Sequence, residues 1–286
     1  PGAADGAQTG ISVTNLTVDC NGLIEGGLVF QYAGQWLMEN VRTKNHNIFD
    51  AGDSKAGIAV YSSYGYLHNV WIDPPQVTGS TITTQSELLN TSLIFDSTNC
   101  HEVFADGVFL DGNDTTISKS AISFEDDPYN IWCNNIHIRR FQDGIASAQN
   151  GTARNNFHWS NVYITDCGNA INLPIKTDYV SFRNVYISEI DGTTGNNVVS
   201  IKGNNIDIDG MYFVNAPNVA GSWVDSLHFE NSVNVKINKL FITNSKCDGV
   251  RILDGCKYVT VDNSFIGTCN KHGLYMAAIS GGAQPV

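Results

Sequence analysis

The chain has 286 residues, 42% of them hydrophobic, enough for a sizeable core in one large domain or two small ones. Only 15% are charged, while 27 Gly and 31 Asn mark a chain rich in turns. The formal charge of −12 repels phosphate backbones and anionic lipid and so excludes nucleic acid as a partner. No apolar stretch approaches the ~20 residues of a membrane-spanning helix, so no membrane partner is expected, and Pro1 opens no signal-peptide pattern. Cys20, Cys100, Cys133, Cys167, Cys247, Cys256 and Cys269 form no Cys-x-x-Cys pair, and their odd number forbids complete pairing. They read as reduced, buried, small apolar residues.

An internal repeat organises everything else. An eight-residue window, apolar-x-apolar-polar-Asn-apolar-x-apolar, starts at residues 11, 36, 65, 103, 131, 157, 180, 206, 235 and 259. At its positions one, three, six and eight, 37 of 40 residues are apolar, against about 17 for random placement at this composition; the exceptions are Thr43, Gly65 and Ser264. Position five reads Asn15, Asn40, Asn69, Gly107, Asn135, Asn161, Asn184, Gly210, Lys239 and Asn263. Asn and Gly enter the left-handed region most cheaply, so each window predicts two short strands joined by a one-residue bend. A third apolar-x-apolar segment follows each window, from Leu28/Phe30 and Ile58/Val60 through Leu93/Phe95 and Ile122/Phe124 to Val250/Ile252 and Leu274/Met276, with Ser147 the one polar residue among the twenty. Three strands per turn with alternate side chains inward describe a coil that can bury its apolar face only by stacking on copies of itself. The expected fold is all-β, a right-handed single-stranded parallel β-helix of about ten coils and three short strands per coil, roughly 48 Å long; its hand follows from the general rule for parallel crossovers. A β-sandwich also alternates, but it has no reason to place Asn at one phase of every repeat.

These Asn-bend windows, the opening Leu16-Thr17-Val18-Asp19-Cys20-Asn21-Gly22, and the lead-ins to third strands at Asp143-Gly144-Ile145, Asp248-Gly249-Val250 and His272-Gly273-Leu274 resemble the right-handed β-helix proteins of the pectate-lyase superfamily. Within it the chain is most similar to the coil region of a phage tailspike or capsular-polysaccharide depolymerase. The resemblance implies an extracellular or virion-tail location, bacterial surface polysaccharide as partner, and a homotrimer. Polygalacturonases of this superfamily carry paired aspartates before a Gly-His-Gly and a nearby Arg-Ile-Lys; here only Cys247-Asp248-Gly249 precedes His272-Gly273, and no Arg-Ile-Lys follows. The chain starts inside the first coil and stops after the tenth without a helix over the apolar end. A single domain over residues 1–286, cut from a longer polypeptide with its N-terminal cap and C-terminal parts missing, is therefore expected.

Register turns positions into columns. On the third-segment face Asp96 and Glu125 fall on successive coils, roughly 5 Å apart, where one carboxylate raises the pKa of the other and an acid and nucleophile pair for glycosidic hydrolysis becomes possible. Asp126 and Asp127 extend the patch, Tyr61, Tyr129 and Trp132 offer rings for sugar stacking, and the connection from Asp73 through Ser92 is long enough to wall a groove. The same carboxylates are alternatively a solvated acidic surface or, with hard oxygen ligands, a Ca²⁺ site; no other cofactor and no metal-ligand spacing is expected. Toward the C-terminus of that face, Lys202, His228, Glu230, Arg251, Lys271, His272 and Tyr275 supply the base and cations that β-elimination on a uronic acid needs, which is the lyase alternative. Window position seven runs Thr17, Arg42, Trp71, Phe109, His137, Tyr163, Tyr186, Tyr212, Phe241 and Phe265, an outward and largely aromatic column that a homotrimer interface would bury. The rival from another class is a non-catalytic, glycan-binding adhesion rod.

Overall fold

The computed structural model describes residues 8–21, 27–46, 56–74, 91–96, 98–112, 119–147, 154–190, 197–215 and 224–277. Among these residues there are seventeen strands, Gln8–Asp19 through Leu274–Met276, and no helix, and the strands pair in parallel. The first window position is in register throughout: Ile11, Trp36, Gly65, Val103, Ile131, Phe157, Val180, Ile206, Val235 and Val259 pair one to the next. The third segments do the same from Leu28 to Leu274. The chain is a parallel β-helix. Its first and last windows have a neighbour on one side only, so about eight turns are enclosed between neighbours, slightly fewer than the ten expected.

The bends explain why the repeat keeps its phase. All ten residues at window position five have positive φ, from 48° at Asn263 to 88° at Gly210, Lys239 included at 57°. Side-chain amides join these corners from coil to coil, as where Asn40 Nδ2 donates to Asn15 Oδ1 at 3.1 Å and Asn69 Nδ2 to Asn40 Oδ1 at 3.2 Å. A second column was not expected. The residue just before each window (Gly10, Gln35, Tyr64, Glu102, Asn130, Asn156, Tyr179, Asn205, Asn234, Tyr258) is also left-handed at every coil.

Inward side chains fill the coil completely; Phe95, Phe124, Phe157, Phe182, Phe213 and Phe229 are all buried. Each contributes roughly 1.5–3 kcal/mol relative to exposure. Gly65, an exception to the apolar pattern, has a packing reason: a Cβ there would lie 1.9 Å from the Trp36 indole of the preceding coil, which occupies its space and stacks on Phe30. Thr43 is buried outright, while Ser264 accepts the Leu240 amide at 3.2 Å. Six of the seven cysteines are buried and Cys269 is half-buried; burial pushes Cys167 up to about 12 and Cys100 and Cys133 higher still. In the last coil Phe265, Leu274 and Met276 are exposed.

Gly65→Ala is expected to cost about 1–3 kcal/mol through overpacking against Trp36, and Asn161→Val about 1–2 kcal/mol through its left-handed backbone; denaturant unfolding checks both. His46 sets a pH dependence. Fully buried, and with neither ring nitrogen hydrogen-bonded among the described residues, it is lowered by burial from 6.5 to about 4. Between those values the unfolded chain binds a proton that the folded chain refuses. Stability present above the upper value is therefore lost as pH falls toward the lower one, by about 3 kcal/mol. His46→Leu should flatten that part of the melting-temperature profile.

Candidate functional site

The third segments form one face of the rod, and their middle residues point out from it: Val29, Ala59, Ile94, Ser123, Ala146, Asn172, Ser200, His228, Arg251 and Tyr275 stand in register. Asp96 and Glu125 pair one step beyond the Phe95–Phe124 rung, as expected from the repeat. They differ in surroundings. Asp96 is 9% exposed, whereas Glu125 is half-buried and accepts a 3.3 Å hydrogen bond from Ser123 Oγ. Asp126 is exposed and Asp127 half-buried, both with left-handed φ at the corner that follows. Tyr61 packs against a small outward cluster of Ala56, Ala59 and Ile94. The remaining two rings are not on this face. Tyr129 stacks on His101 at the corner, and Trp132 belongs to a stack with Phe104 and His158 on the adjoining first-strand face, because three residues, Asp126 to Pro128, turn the chain before its strand begins. Most of the long connection after Asp73, residues 75–90, lies outside the described residues.

A more fully built cluster occupies the C-terminal part of the face. It centres on Asp225, a residue absent from the sequence-based candidates. Asp225 is 1% exposed; His228 Nδ1 and Arg251 NH1 each lie 3.4 Å from its Oδ2, and the Asp248 amide donates to its Oδ1 at 3.1 Å. Burial pushes this carboxyl up, but His228, the Asp248 amide, the Cys247 thiol and Arg251 outweigh it and hold it below the ordinary carboxylate value. One coil on, buried Asp248 accepts both the His272 amide, at 3.1 Å, and His272 Nδ1, at 2.8 Å. Arg251 sits 5.4 Å over the Tyr275 ring, and His272 lies 5.3 Å from the same ring. Of the sequence-predicted group, His228, Arg251, His272 and Tyr275 are thus brought together. Lys202 and Glu230 flank them one residue beyond the Ile201–Phe229 rung and form no ion pair with each other among the described residues; Lys271 is exposed.

The lead-in to the third strand explains Asp225. Two residues before the first apolar position of the last seven segments stand Ser120, Asp143, Asn169, Asn197, Asp225, Asp248 and His272, all polar, whereas the apolar Ala56 holds that phase before Ile58. Asn197 Oδ1 accepts the Asp225 amide at 3.2 Å just as Asp225 and Asp248 accept the next coil's amides, and Asn169 Nδ2 donates to Asp143 Oδ1 at 2.7 Å. A recurring polar residue at that phase was the available signal.

Asp225, Cys247 and Asp248 also form the one group of three metal-capable side chains among the described residues, with ligand atoms within 4.8 Å of one another. Its fit to Ca²⁺ is poor, since that ion takes oxygen ligands and these carboxylates already accept amides, imidazole and guanidinium. The carboxylates around Glu125 do not form such a group.

The aromatic column is present on the second-strand face. Ring centroids are 5.6 Å apart for Trp71–Phe109, 4.9 Å for Phe109–His137, 4.8 Å for His137–Tyr163, 5.1 Å for Tyr163–Tyr186 and 4.8 Å for Tyr186–Tyr212, with interplanar angles of 16° or less. Phe241 stacks on Phe265. The faces cover one another, leaving ring edges outward.

No protein-family model and no curated protein matches the chain. Among solved structures it is similar to PfbA, a surface adhesin of Streptococcus pneumoniae, with a TM-score of 0.54 and 14% identity over 96% of this chain and 74% of that one. A second structure of that adhesin gives a TM-score of 0.41 and 12% identity over 96% and 78%. At these identities the likeness is one of fold.

Asp225→Asn removes the charge that holds Arg251 and His228 and should cost about 1 kcal/mol at neutral pH. The sign with pH follows from the depressed carboxyl: its contribution is present above the ordinary carboxylate pKa of 3.8 and fades as pH falls below it, so the two proteins' denaturant midpoints should converge in acid.

Proposed function

We propose that the chain is the polysaccharide-binding β-helix of an extracellular or surface-exposed protein and that an acidic bacterial surface polysaccharide lies along its third-segment face. The observation that carries this reading is the convergence of His228, Arg251, His272 and Tyr275 from three successive coils over buried Asp225 and Asp248. A guanidinium on an aromatic ring, flanked by two imidazoles and fixed from beneath by buried carboxylates, is pre-organised for a sugar carboxylate. Arg251, with Lys202 and Lys271 on the same part of the face, gives a −12 chain local positive side chains with which to hold a polyanion. The fold likeness to a surface adhesin and the resemblance to tailspikes agree with a role at a cell surface.

A second reading adds cleavage. Asp96 and Glu125 pair in register on the same face, and four coil steps separate Glu125 from His228, about 19 Å at 4.8 Å per step, so one chain could reach both. Hydrolysis with these two carboxylates as acid and base or nucleophile is the chemistry they offer. Elimination would instead draw on the C-terminal cluster.

Purified acidic and neutral capsular polysaccharides separate these readings. Arg251→Ala should weaken binding of an acidic polymer at least about tenfold, and unchanged affinity would sink the binding site. Loss of viscosity with wild type that disappears in Asp96→Asn and Glu125→Gln establishes hydrolysis, an unsaturated ultraviolet-absorbing product establishes elimination, and binding without shortening leaves the adhesion rod.

A further inference from the structure

The second-strand face carries a groove of about 410 Å³ lined by Arg42, Trp71, Asp73, Phe109, Asp111, His137, Arg139, Tyr163 and Thr165. Its two sides are adjacent columns of the same strands. One is the aromatic ladder; the other, two residues further along each strand, is Asp73, Asp111, Arg139 and Thr165. Arg42 pairs with Asp73 at 2.6 Å, and Asp111 accepts from Arg139 at 2.6 Å and bidentately from Arg140 at 2.8 and 2.7 Å. Three of the chain's six arginines therefore meet two carboxylates, a local excess of one positive charge on a molecule of net charge −12.

We propose that this groove is a second ligand site, separate from the third-segment face, that binds a linear glycan segment bearing carboxylates. Arg140 already occupies both oxygens of Asp111, so Arg139, 60% exposed and bonded among the described residues through NH2, keeps guanidinium donors for an incoming anion. The outward ring edges carry the positive part of the aromatic quadrupole and favour oxygen-rich groups over apolar ones. Tyr163 and Thr165 add hydroxyls. From Arg42 to Tyr163 the site crosses four coil steps, about 19 Å, and repeats a ring and a polar group at each of the four coils after Arg42, which suits an extended polymer. A second copy of the chain is the weaker occupant, because docking it here would bury the Arg42–Asp73 and Arg139–Asp111–Arg140 pairs at a desolvation cost. The floor is sheet already paired coil to coil, so it offers a peptide no edge for strand addition.

Calorimetric titration of the full chain with a hexamer of uronic acid, its neutral methyl ester and a hexaglutamate peptide tests the site. Arg251→Ala, which disables the other face, should retain one site for the uronate; adding Arg42→Ala and Arg139→Ala, both exposed, should weaken it at least about tenfold while the melting temperature stays put. Equal affinity of Arg251→Ala with and without the two extra changes overturns the proposal, as does equal binding of the ester, preference for the peptide, or a trimer in sedimentation that the two arginine changes dissociate. Loss of all binding in Arg251→Ala alone overturns it too while sparing the third-segment site; no effect of Arg251→Ala with loss in Arg42→Ala/Arg139→Ala does the reverse.

Discussion

A residue in the left-handed region at window position five, repeated in every coil, fixes the phase of this molecule. One such residue turns the chain between two strands without changing the number of residues per window, so the side chains on either side keep their inward or outward sense from coil to coil. Stacked amides tie corner to corner where Asn follows Asn, along Asn15, Asn40 and Asn69 and from Asn161 to Asn184. Because register is exact over the first window position of all ten windows, the third-segment columns, the aromatic ladder and the arginine rail are consequences of the same bend.

How much of this was legible in sequence depended on whether a position selects its residue. Position five does, and Asn or Gly stands there in nine of ten windows. The corner before each window adopts the same φ but carries Gln35, Tyr64, Glu102, Tyr179 and Tyr258 among its ten residues. A left-handed Tyr costs about 1 kcal/mol or more, which ring stacking and ladder bonding can offset: Tyr64 meets His101 edge-on, and Glu102 accepts from Asn130 at 2.6 Å. Composition at that phase therefore stayed mixed and silent. Gly65 was misleading for the opposite reason, since its missing side chain is supplied by Trp36 one coil away, a contact that a single-window pattern does not contain.

The candidate sites show the same division. Outward residues could be assigned from alternation, which placed Asp96 beside Glu125 and gathered His228, Arg251 and Tyr275 into one column. Asp225 escaped because it lies at a corner rather than on a strand, where alternation assigns no direction. Trp132 was misplaced because proximity in sequence to Glu125 hid a change of face. The aromatic column was placed correctly, but only coordinates show the rings lying face to face, which turns an apparent apolar stripe into a row of edges.

The lead-in ladder finally separates what is structural in the C-terminal cluster from what is not. At that phase Asn197 accepts the next coil's amide without any charge. Asp225 and Asp248 do the same task through their Oδ1 atoms. Their negative charge is therefore surplus to the corner, and burying it would be unfavourable if nothing answered it. What answers it at Asp225 is His228 and Arg251, and at Asp248 it is His272, the side chains that project the cluster's positive character onto the face. A fold that needed only corner bonds would be served by Asn throughout; carboxylates at these two coils make sense where imidazoles and a guanidinium must be held in place toward an anion outside.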